Sequence, residues 1–323
     1  MGFGEIIGHR RPIRLLQKSI LNDHLPHAYL FLGPQGIGKR ITALTLAKAL
    51  DCDDESGDSC DKCLSCRKIS DSNHPDVFVI SPDGQFIKIE QIRQLQRSLS
   101  YRPYEGKKRV CIMDGADEMT AEGANALLKT LEEPPPETLL ILLATQKESL
   151  LPTIVSRCQQ VSFSSLPIDQ LTEELATQLS LEKRQARTLA ELSQGSPGRA
   201  LEMFHHDVWE RRPSIIRDLI GLSSQSLQHV FDIAKSLADR GEDLPLVFPV
   251  MISWYRDLII WNEGNNVDQL INQDFCEEVK EKAVQMSRRS LIRRIEAINE
   301  TSKALSRNAN RQLAMESLML ELR

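Results

Sequence analysis

Length, composition and charge set the first limits on this chain of 323 residues. Apolar residues make up 41% and charged residues 26%, an ordinary balance for a globular protein of two or three domains. No apolar run approaches the ~20 residues of a membrane-spanning helix, and the N-terminus has no signal core, so we expect a cytoplasmic protein without membrane contact. The net charge of -5 argues against stand-alone DNA binding, which needs a basic excess, although a local basic face is compatible with it.

The first half of the chain alternates short apolar runs with helical patterns. The apolar runs predict strands at 28–32, 77–80, 109–114 and 139–144. Helical periodicity predicts helices at 6–21, 38–50, 87–99 and 120–133. Strands that are apolar along their whole length and separated by helices indicate a parallel sheet covered on both faces. The sequence therefore predicts an α/β domain over residues 1–165.

The second half of the chain has no strand pattern after Leu166-Pro167. Residues 166–207 are expected to form a small helical domain and residues 208–323 a larger helical one. The larger block carries apolar side chains at spacings that suit a packed bundle, namely Trp254, Tyr255, Leu258, Ile259 and Trp261.

A glycine-rich segment follows the first predicted strand and opens a helix. Residues 33–40, Gly-Pro-Gln-Gly-Ile-Gly-Lys-Arg, match the phosphate-loop pattern up to its last position. Gly33, Gly36 and Gly38 allow backbone N–H groups to wrap a phosphate, and the helix start adds partial positive charge. Lys39 is placed to reach the outer phosphates. A loop kept only as a turn and packing element is the alternative to residual nucleotide binding.

Two positions of this pattern lack the chemistry of ATP hydrolysis. Arg40 stands where a Ser or Thr hydroxyl holds Mg²⁺, and a guanidinium has no acceptor atom. Asp114 ends the third strand, where an Asp binds Mg²⁺, but Gly115 follows it and offers no base; a turn-capping role for Asp114 is the alternative. We expect Asp117 and Glu118 to lie away from the position of that missing base. The sequence therefore predicts weak or absent hydrolysis.

Four cysteines crowd into one acidic window. Cys52, Cys60, Cys63 and Cys66 lie within fifteen residues, and a cytosolic chain keeps few disulfides. Four thiolates at this spacing predict a closed, tetrahedral, structural zinc site. An iron–sulfur cluster and a loop of reduced cysteines are the alternatives.

These motifs occur together in one known family. The phosphate loop, the cysteine window, the 109–114 strand, the Ala-Asn-Ala-Leu-Leu-Lys-Thr-Leu-Glu-Glu-Pro stretch at 124–134 and Ser-Arg-Cys at 156–158 resemble the AAA+ clamp-loader subunits of bacterial DNA polymerase III. The resemblance implies an AAA+ P-loop domain with a zinc module at about 52–66, a helical lid at 166–207 and a helical collar at 208–323. The motor subunits of that family have an intact phosphate loop and an Asp-Glu pair, so Arg40 and Gly115 favour a non-motor subunit.

The resemblance also implies roles for single residues. Arg157, in Ser-Arg-Cys, corresponds to an arginine finger that acts on ATP bound to a neighbouring subunit; a surface ion pair is the alternative. Thr145 corresponds to the residue that senses the γ-phosphate, and Arg199 to the sensing arginine of the lid. Both are structural remnants if the nucleotide site is inactive. Gly195 and Gly198 are also explained as turn residues before a helix that Pro197 opens.

Three functions compete at this point. The first is a non-hydrolysing ring subunit that supplies Arg157, with the motor ATPase and delta subunits as partners, and the sliding clamp and primed DNA reached through the complex. The second is an active clamp-loader ATPase motor. The third is a zinc-dependent nucleic-acid-binding module, which the acidic residues around the cysteines disfavour.

Overall fold

The computed structural model describes residues 2–54, 56–264 and 266–323. The predicted domain bounds also include positions 1, 55 and 265, which lie outside the described residues. The chain forms two compact units, one of Met1–Leu166 with Ser196–Gly198 and the other of Pro167–Gly195 with Arg199–Arg323. The finer division of the second half into a lid and a collar remains a prediction.

The first unit is built on a parallel sheet. Its strands are β1 (Ala28–Leu32), β2 (Val77–Ile80), β3 (Arg109–Asp114), β4 (Thr138–Ala144) and β5 (Gln159–Ser162). They lie in the order β2-β3-β4-β1-β5, and every neighbouring pair is parallel. The four predicted strands are confirmed. β5 was not predicted, since only Val161 of this strand is buried and the strand has no apolar pattern.

Helices cover both faces of this sheet. The helices of the unit are α1 (Arg10–Leu21), α2 (Lys39–Asp51), α3 (Leu64–Ser70), α4 (Ile89–Leu99), α5 (Ala121–Glu132) and α6 (Pro152–Val155). Alternate residues of each strand enter opposite cores: Tyr29 and Phe31 pack with α1 and α2, whereas Ala28 and Leu30 pack with α4 and α5. This is the two-sided burial that the wholly apolar strands predicted.

The connection between α4 and β3 is held by a buried carboxylate. Asp76 is fully buried and accepts hydrogen bonds from the backbone N–H groups of Tyr104, Glu105 and Gly106 at 2.8–2.9 Å. The guanidinium of Arg109 lies 3.5 Å from the same carboxylate. Burial by itself raises the pKa of Asp76, but these donors outweigh it, so the pKa is lowered below its ordinary value.

The second unit is built of helices, and none of its described residues forms a strand. Its helices are α7 (Ile168–Leu179), α8 (Lys183–Leu192), α9 (Pro197–His205), α10 (Val208–Gly221), α11 (Leu227–Ala238), α12 (Leu244–Gly264), α13 (Cys276–Gln285), α14 (Arg288–Ser306) and α15 (Arg311–Leu322). The first residues of α9 cluster with the first unit. Trp254, Tyr255 and Leu258 of α12 are buried, which confirms the predicted packing of this block.

One stretch of the described chain is long and apolar enough to cross a membrane by length and composition. It comprises residues Gly241–Gly264, and 61% of its most apolar 18-residue segment is buried within the protein. A core helix that packs against α10, α13 and α14 passes the same test. This stretch is therefore weak support for a membrane span.

We predict that Asp76→Asn destabilises the protein. The amide has no charge to offer three N–H donors and Arg109, so the free energy of unfolding at neutral pH is expected to fall by about 2–4 kcal/mol. Because the folded pKa of Asp76 is lowered, the advantage of the wild type is complete above about pH 4 and is lost as the pH falls through the folded pKa. Urea unfolding followed by circular dichroism at several pH values measures both effects.

Asp83→Asn is the matched control, since its carboxylate pairs with Lys88 at the surface with 73% of the side chain exposed. It is expected to change stability by less than about 1 kcal/mol. Equal losses for the two variants would contradict the role given to Asp76.

Candidate functional site

The glycine-rich loop leaves β1 in a conformation that requires glycine. Gly33, Gly36 and Gly38 have φ values of 153°, 72° and 106°. A Cβ on Gly33 would lie 2.2 Å from the carbonyl oxygen of Phe163, so no other residue fits there. α2 begins directly after Gly38, so the loop presents the start of a helix in the manner of phosphate-binding loops.

Lys39 is folded onto its own loop. Its side chain is buried, and Nζ donates hydrogen bonds to the carbonyl oxygens of Gly33 and, at 2.9 Å, Pro34. Burial lowers the pKa of Lys39, and the negative charges of Asp117 and Asp114 oppose that shift. The ammonium group of Lys39, which was predicted to bind phosphate, thus lies inside the loop.

Arg40 and Asp114 form an ion pair at the carboxyl end of β3. Arg40 Nη1 lies 3.1 Å from Asp114 Oδ2, with 53% and 33% of the two side chains exposed. The residue that replaces the metal-binding hydroxyl therefore contacts the carboxylate expected to bind the same metal. A fixed positive charge occupies one oxygen of Asp114 and opposes the approach of a second cation.

Glu118 lies beside Gly115, and the expectation that it lies elsewhere is wrong. Gly115 has a φ of 84°, and a Cβ added there would be 2.9 Å from Glu118 Oε2. The residues Ala116–Glu118 form a single 3-10 turn, which folds Glu118 back towards the strand end. Burial, followed by the charges of Asp117 and Asp114, raises the pKa of Glu118.

Thr145 follows β4 and is bound by Asp117. Its backbone N–H donates to Asp117 Oδ2 at 2.9 Å, and its hydroxyl donates to the same oxygen. The structure therefore brings Lys39, Arg40, Asp114 and Thr145 to one edge of the sheet, where ligands of open α/β sheets bind. Asp117, which ties Thr145 to the β3 side, carried no signal in the sequence beyond its acidity.

The segment Ser196–Gly198 contacts the phosphate loop directly. Ser196 Oγ donates to the carbonyl oxygen of Gln35 at 3.1 Å, and the Gly198 N–H donates to that of Gly36 at 2.8 Å. A Cβ on Gly198 would lie 2.6 Å from the Gly36 oxygen, so close backbone approach explains this glycine better than a turn does.

Arg199 belongs to the second unit. It lines a groove of about 520 Å³ there together with Gln194 and Arg256. Its assignment as a nucleotide sensor stays a prediction.

Arg157 lies just after the short helix α6, and acceptors of the same unit hold it in place. Its Nη1 donates to the carbonyl oxygen of Thr153 at 3.0 Å, and its Nη2 lies 2.7 Å from Glu132 Oε1. About a third of the Arg157 side chain, 35%, is exposed. The next residue, Cys158, is buried in the core, and burial raises the pKa of its thiol to about 12. Cys158 thus anchors the turn that carries Arg157. The pairing of Arg157 with Glu132 was not predicted from the sequence.

The four clustered cysteines form a site that can hold a metal ion. The sulfur atoms of Cys52, Cys60, Cys63 and Cys66 all lie within 4.8 Å of one another. Sulfurs around a tetrahedral ion at the usual Zn–S length are ~3.8 Å apart, so small movements suffice to close the site. Backbone N–H groups donate to these sulfurs: Cys60 N to Cys52 Sγ, and Cys63 N to Cys60 Sγ, both at 3.3 Å. The N–H groups of Cys63 and Lys62 lower the pKa of the Cys60 thiol to about 7.

Comparison with known proteins places this fold and site in a family. A P-loop after β1 of a parallel sheet defines a P-loop protein, and a DNA polymerase III gamma-subunit-related protein from Thermotoga maritima shares the fold. Its TM-score is 0.51 at 18% identity, over 97% of this chain and 98% of that one. Family models described as DNA polymerase III, delta subunit, and delta subunit, C terminal, match residues 8–167 and 206–323.

Two relatives are similar in sequence over most of the chain. The delta-prime subunit of DNA polymerase III from Bacillus subtilis is 36% identical over 97% of this chain and 95% of its own length. That from Pseudomonas aeruginosa is 34% identical over 74% of this chain and 71% of its own. This chain belongs to the delta-prime subunit family of DNA polymerase III.

We predict that the four-cysteine site binds about one metal ion per chain. Cys63→Ser is expected to remove most of that metal, because a neutral hydroxyl replaces one of four thiolates. Cys276→Ser is the matched control, as Cys276 is a half-buried cysteine like Cys63 but lies outside the cluster. Metal content by mass spectrometry, and the thiolate-to-cobalt absorption after Co²⁺ exchange, measure the difference. Equal metal content in both variants would contradict the site.

Proposed function

We propose that this chain is a non-hydrolysing delta-prime subunit of the DNA polymerase III clamp loader. In this role it supplies Arg157 to ATP bound by a neighbouring ATPase subunit and helps to load the sliding clamp onto primed DNA. Motor ATPase and delta subunits are its partners, and it acts in the cytoplasm. The ion pair between Arg40 and Asp114 is the main observation that supports the proposed absence of hydrolysis.

The ion pair removes the usual place of Mg²⁺. P-loop enzymes hold Mg²⁺ with a hydroxyl at the position of Arg40 and a carboxylate at the position of Asp114. Here the first group is a cation and the second is 3.1 Å from it. Binding Mg²⁺ would require Arg40 to leave and would place two positive charges side by side. Bound ATP, if it enters, would therefore lack the ion that neutralises its developing charge.

The geometry of Arg157 supports action on a neighbour. A guanidinium that stabilises the transferred phosphoryl group in trans must be exposed and well oriented. Arg157 is partly exposed, and two contacts orient its planar group before any partner arrives. The pair with Glu132 is at the surface and contributes little stability, so it can be exchanged for a phosphate at small cost.

Zinc is the metal we assign to the four cysteines. Four thiolates and no open position suit a structural zinc ion, which would stabilise the insertion between α2 and β2 where few apolar side chains are available. The AAA+ class, the lid at 166–207 and the collar at 208–323 belong to the same proposal, and membership of the delta-prime family supports them. Thr145 and Arg199 stand at the sensor positions of the family and, with the nucleotide site inactive, are structural remnants in this proposal.

An active ATPase motor remains the second candidate because of one observation. Glu118 lies beside Gly115 and has a raised pKa, as a general base in a partly buried site can have. In that case Glu118 would replace the missing base after Asp114, although the place of Mg²⁺ would still be filled by Arg40.

We expect the purified chain alone to hydrolyse no ATP above the level of a heat-denatured sample, with or without Mg²⁺ and primed DNA. The reason is the loss of both the Mg²⁺ hydroxyl and the base after Asp114. Release of inorganic phosphate measures it. Turnover that both Lys39→Ala and Glu118→Gln abolish would overturn the proposal in favour of the motor.

We expect Arg157→Ala to lower the DNA-stimulated ATP turnover of a reconstituted loader while leaving its assembly intact. Turnover at the one site that Arg157 faces is expected to fall by a factor on the order of 10³, and the total by the share of that site. The control is Lys88→Ala, which removes another paired, half-exposed cation of the same unit. Unchanged turnover in an assembled Arg157→Ala loader would refute the arginine-finger role.

A further inference from the structure

The outward face of α1 carries four positive charges in a stripe, and we propose that this face binds the phosphate backbone of double-stranded nucleic acid without reading its sequence. The basic face consists of Arg10, Arg11, Arg14 and Lys18, all exposed. This face lies on a chain whose net charge is -5, so the positive charge is local.

Helical geometry lines these charges up. Arg10, Arg14 and Lys18 are four residues apart and lie on successive turns, with about 6 Å between neighbours. Ile13 and Leu16 on the opposite side are buried in the core, which fixes the rotation of the helix and keeps the cations outward. These three cations therefore form a rigid row, one per turn, and Arg11 adds a second charge to the first turn.

This arrangement works against the stability of α1. Like charges at i and i+4 repel each other, and this occurs for Arg10 with Arg14 and for Arg14 with Lys18. Arg10 and Arg11 stand at the positive end of the helix dipole, and the first turn contains no acidic residue. Among the described residues, no carboxylate lies within ion-pair distance of the four cations. A bound polyanion would relieve the two i, i+4 repulsions and the unfavourable interaction of Arg10 and Arg11 with the helix dipole.

The groove beside the stripe has the composition of a backbone-binding surface. It has a volume of about 590 Å³ and continues past the cations along Ser19, Asn22 and His24. Hydroxyl, amide and arginine groups are the usual partners of phosphate oxygens. Among the described residues, no Phe, Tyr or Trp lines the groove, so His24 is its one ring on which an unstacked base can stack, and Leu15 is its one apolar residue. These features favour duplex phosphates over single-stranded bases.

Other polyanions fit the basic face less well. A membrane would need the apolar side of α1, which is buried in the protein core. An acidic helix that docks in a groove uses several apolar anchors, and this groove supplies only Leu15. Three of the four cations are arginines, whose planar fork matches a phosphate with two parallel hydrogen bonds.

The test is duplex DNA binding by the full-length chain, measured by fluorescence anisotropy with a 20-base-pair duplex at several salt concentrations. Four phosphate contacts predict a slope of about -3.6 for log affinity against log salt. Arg10→Gln/Arg14→Gln is expected to reduce the slope to about -1.8 and to weaken binding by 10- to 100-fold at about 0.1 M salt. The same variant is expected to melt no lower than the wild type, because it relieves like-charge repulsion.

Two matched variants separate this surface from net charge. Arg10→Lys/Arg14→Lys keeps the charges and is expected to keep the slope. Arg289→Gln/Arg293→Gln removes two exposed arginines at the same i, i+4 spacing on α14 and is expected to leave binding unchanged.

Three results would overturn the proposal. One is no detectable duplex binding by the wild type at about 20 mM salt, where screening of phosphate contacts is weak. Another is an equal loss in the Arg289→Gln/Arg293→Gln variant. The third is displacement of the duplex by polyglutamate of equal charge at equal concentration, which would identify an acidic-protein surface instead.

Discussion

Parallel strand pairing is the constraint on which the site depends. Because all strands run in one direction, their carboxyl ends share an edge of the sheet, and the residues that follow β1, β3 and β4 must meet there. Residues 33–40, 114–118 and 145 are far apart in sequence and come together for this reason alone. The glycines of the loop make the turn after β1 possible, and the packing of Gly33 against Phe163 fixes the loop next to the carbonyl end of β5.

At this edge the protein satisfies its charges internally. Arg40 neutralises Asp114, Asp117 binds Thr145, and Lys39 donates to the carbonyl oxygens of its own loop. Ser196 and Gly198 take up two further carbonyl oxygens of the loop. The charged and polar groups at this edge are therefore paired with one another.

Charge is distributed unevenly over the first unit. Buried carboxylates such as Asp76 are used for structure, where backbone N–H donors and Arg109 compensate them. Arg157 pairs with Glu132 at the surface. The cations of α1 have no such partner among the described residues. The net charge of -5 is a sum over the whole chain. It therefore does not show that the exposed face of α1 is basic.

The sequence by itself determined the local features. Wholly apolar runs and glycine spacing gave four of the strands, the phosphate loop and the helix that starts at Lys39, since these depend on residues close together in the chain. Cysteine spacing likewise predicted the clustering of the four sulfur atoms, which form a site that can hold a metal ion. Arg40 and Gly115 could be recognised as departures because their chemistry depends on residue type alone.

Only the tertiary structure decided the long-range features. The strand order and β5 depend on pairing between distant segments, and β5 has a single buried residue that carries no pattern. The partners of Arg40, Arg157 and Thr145 are set by which strand and helix ends become neighbours. The position of Glu118 beside Gly115 depends on one 3-10 turn. Side chains at a sheet edge are located by the packing of the whole sheet, and for that reason residue spacing in the chain does not encode their contacts.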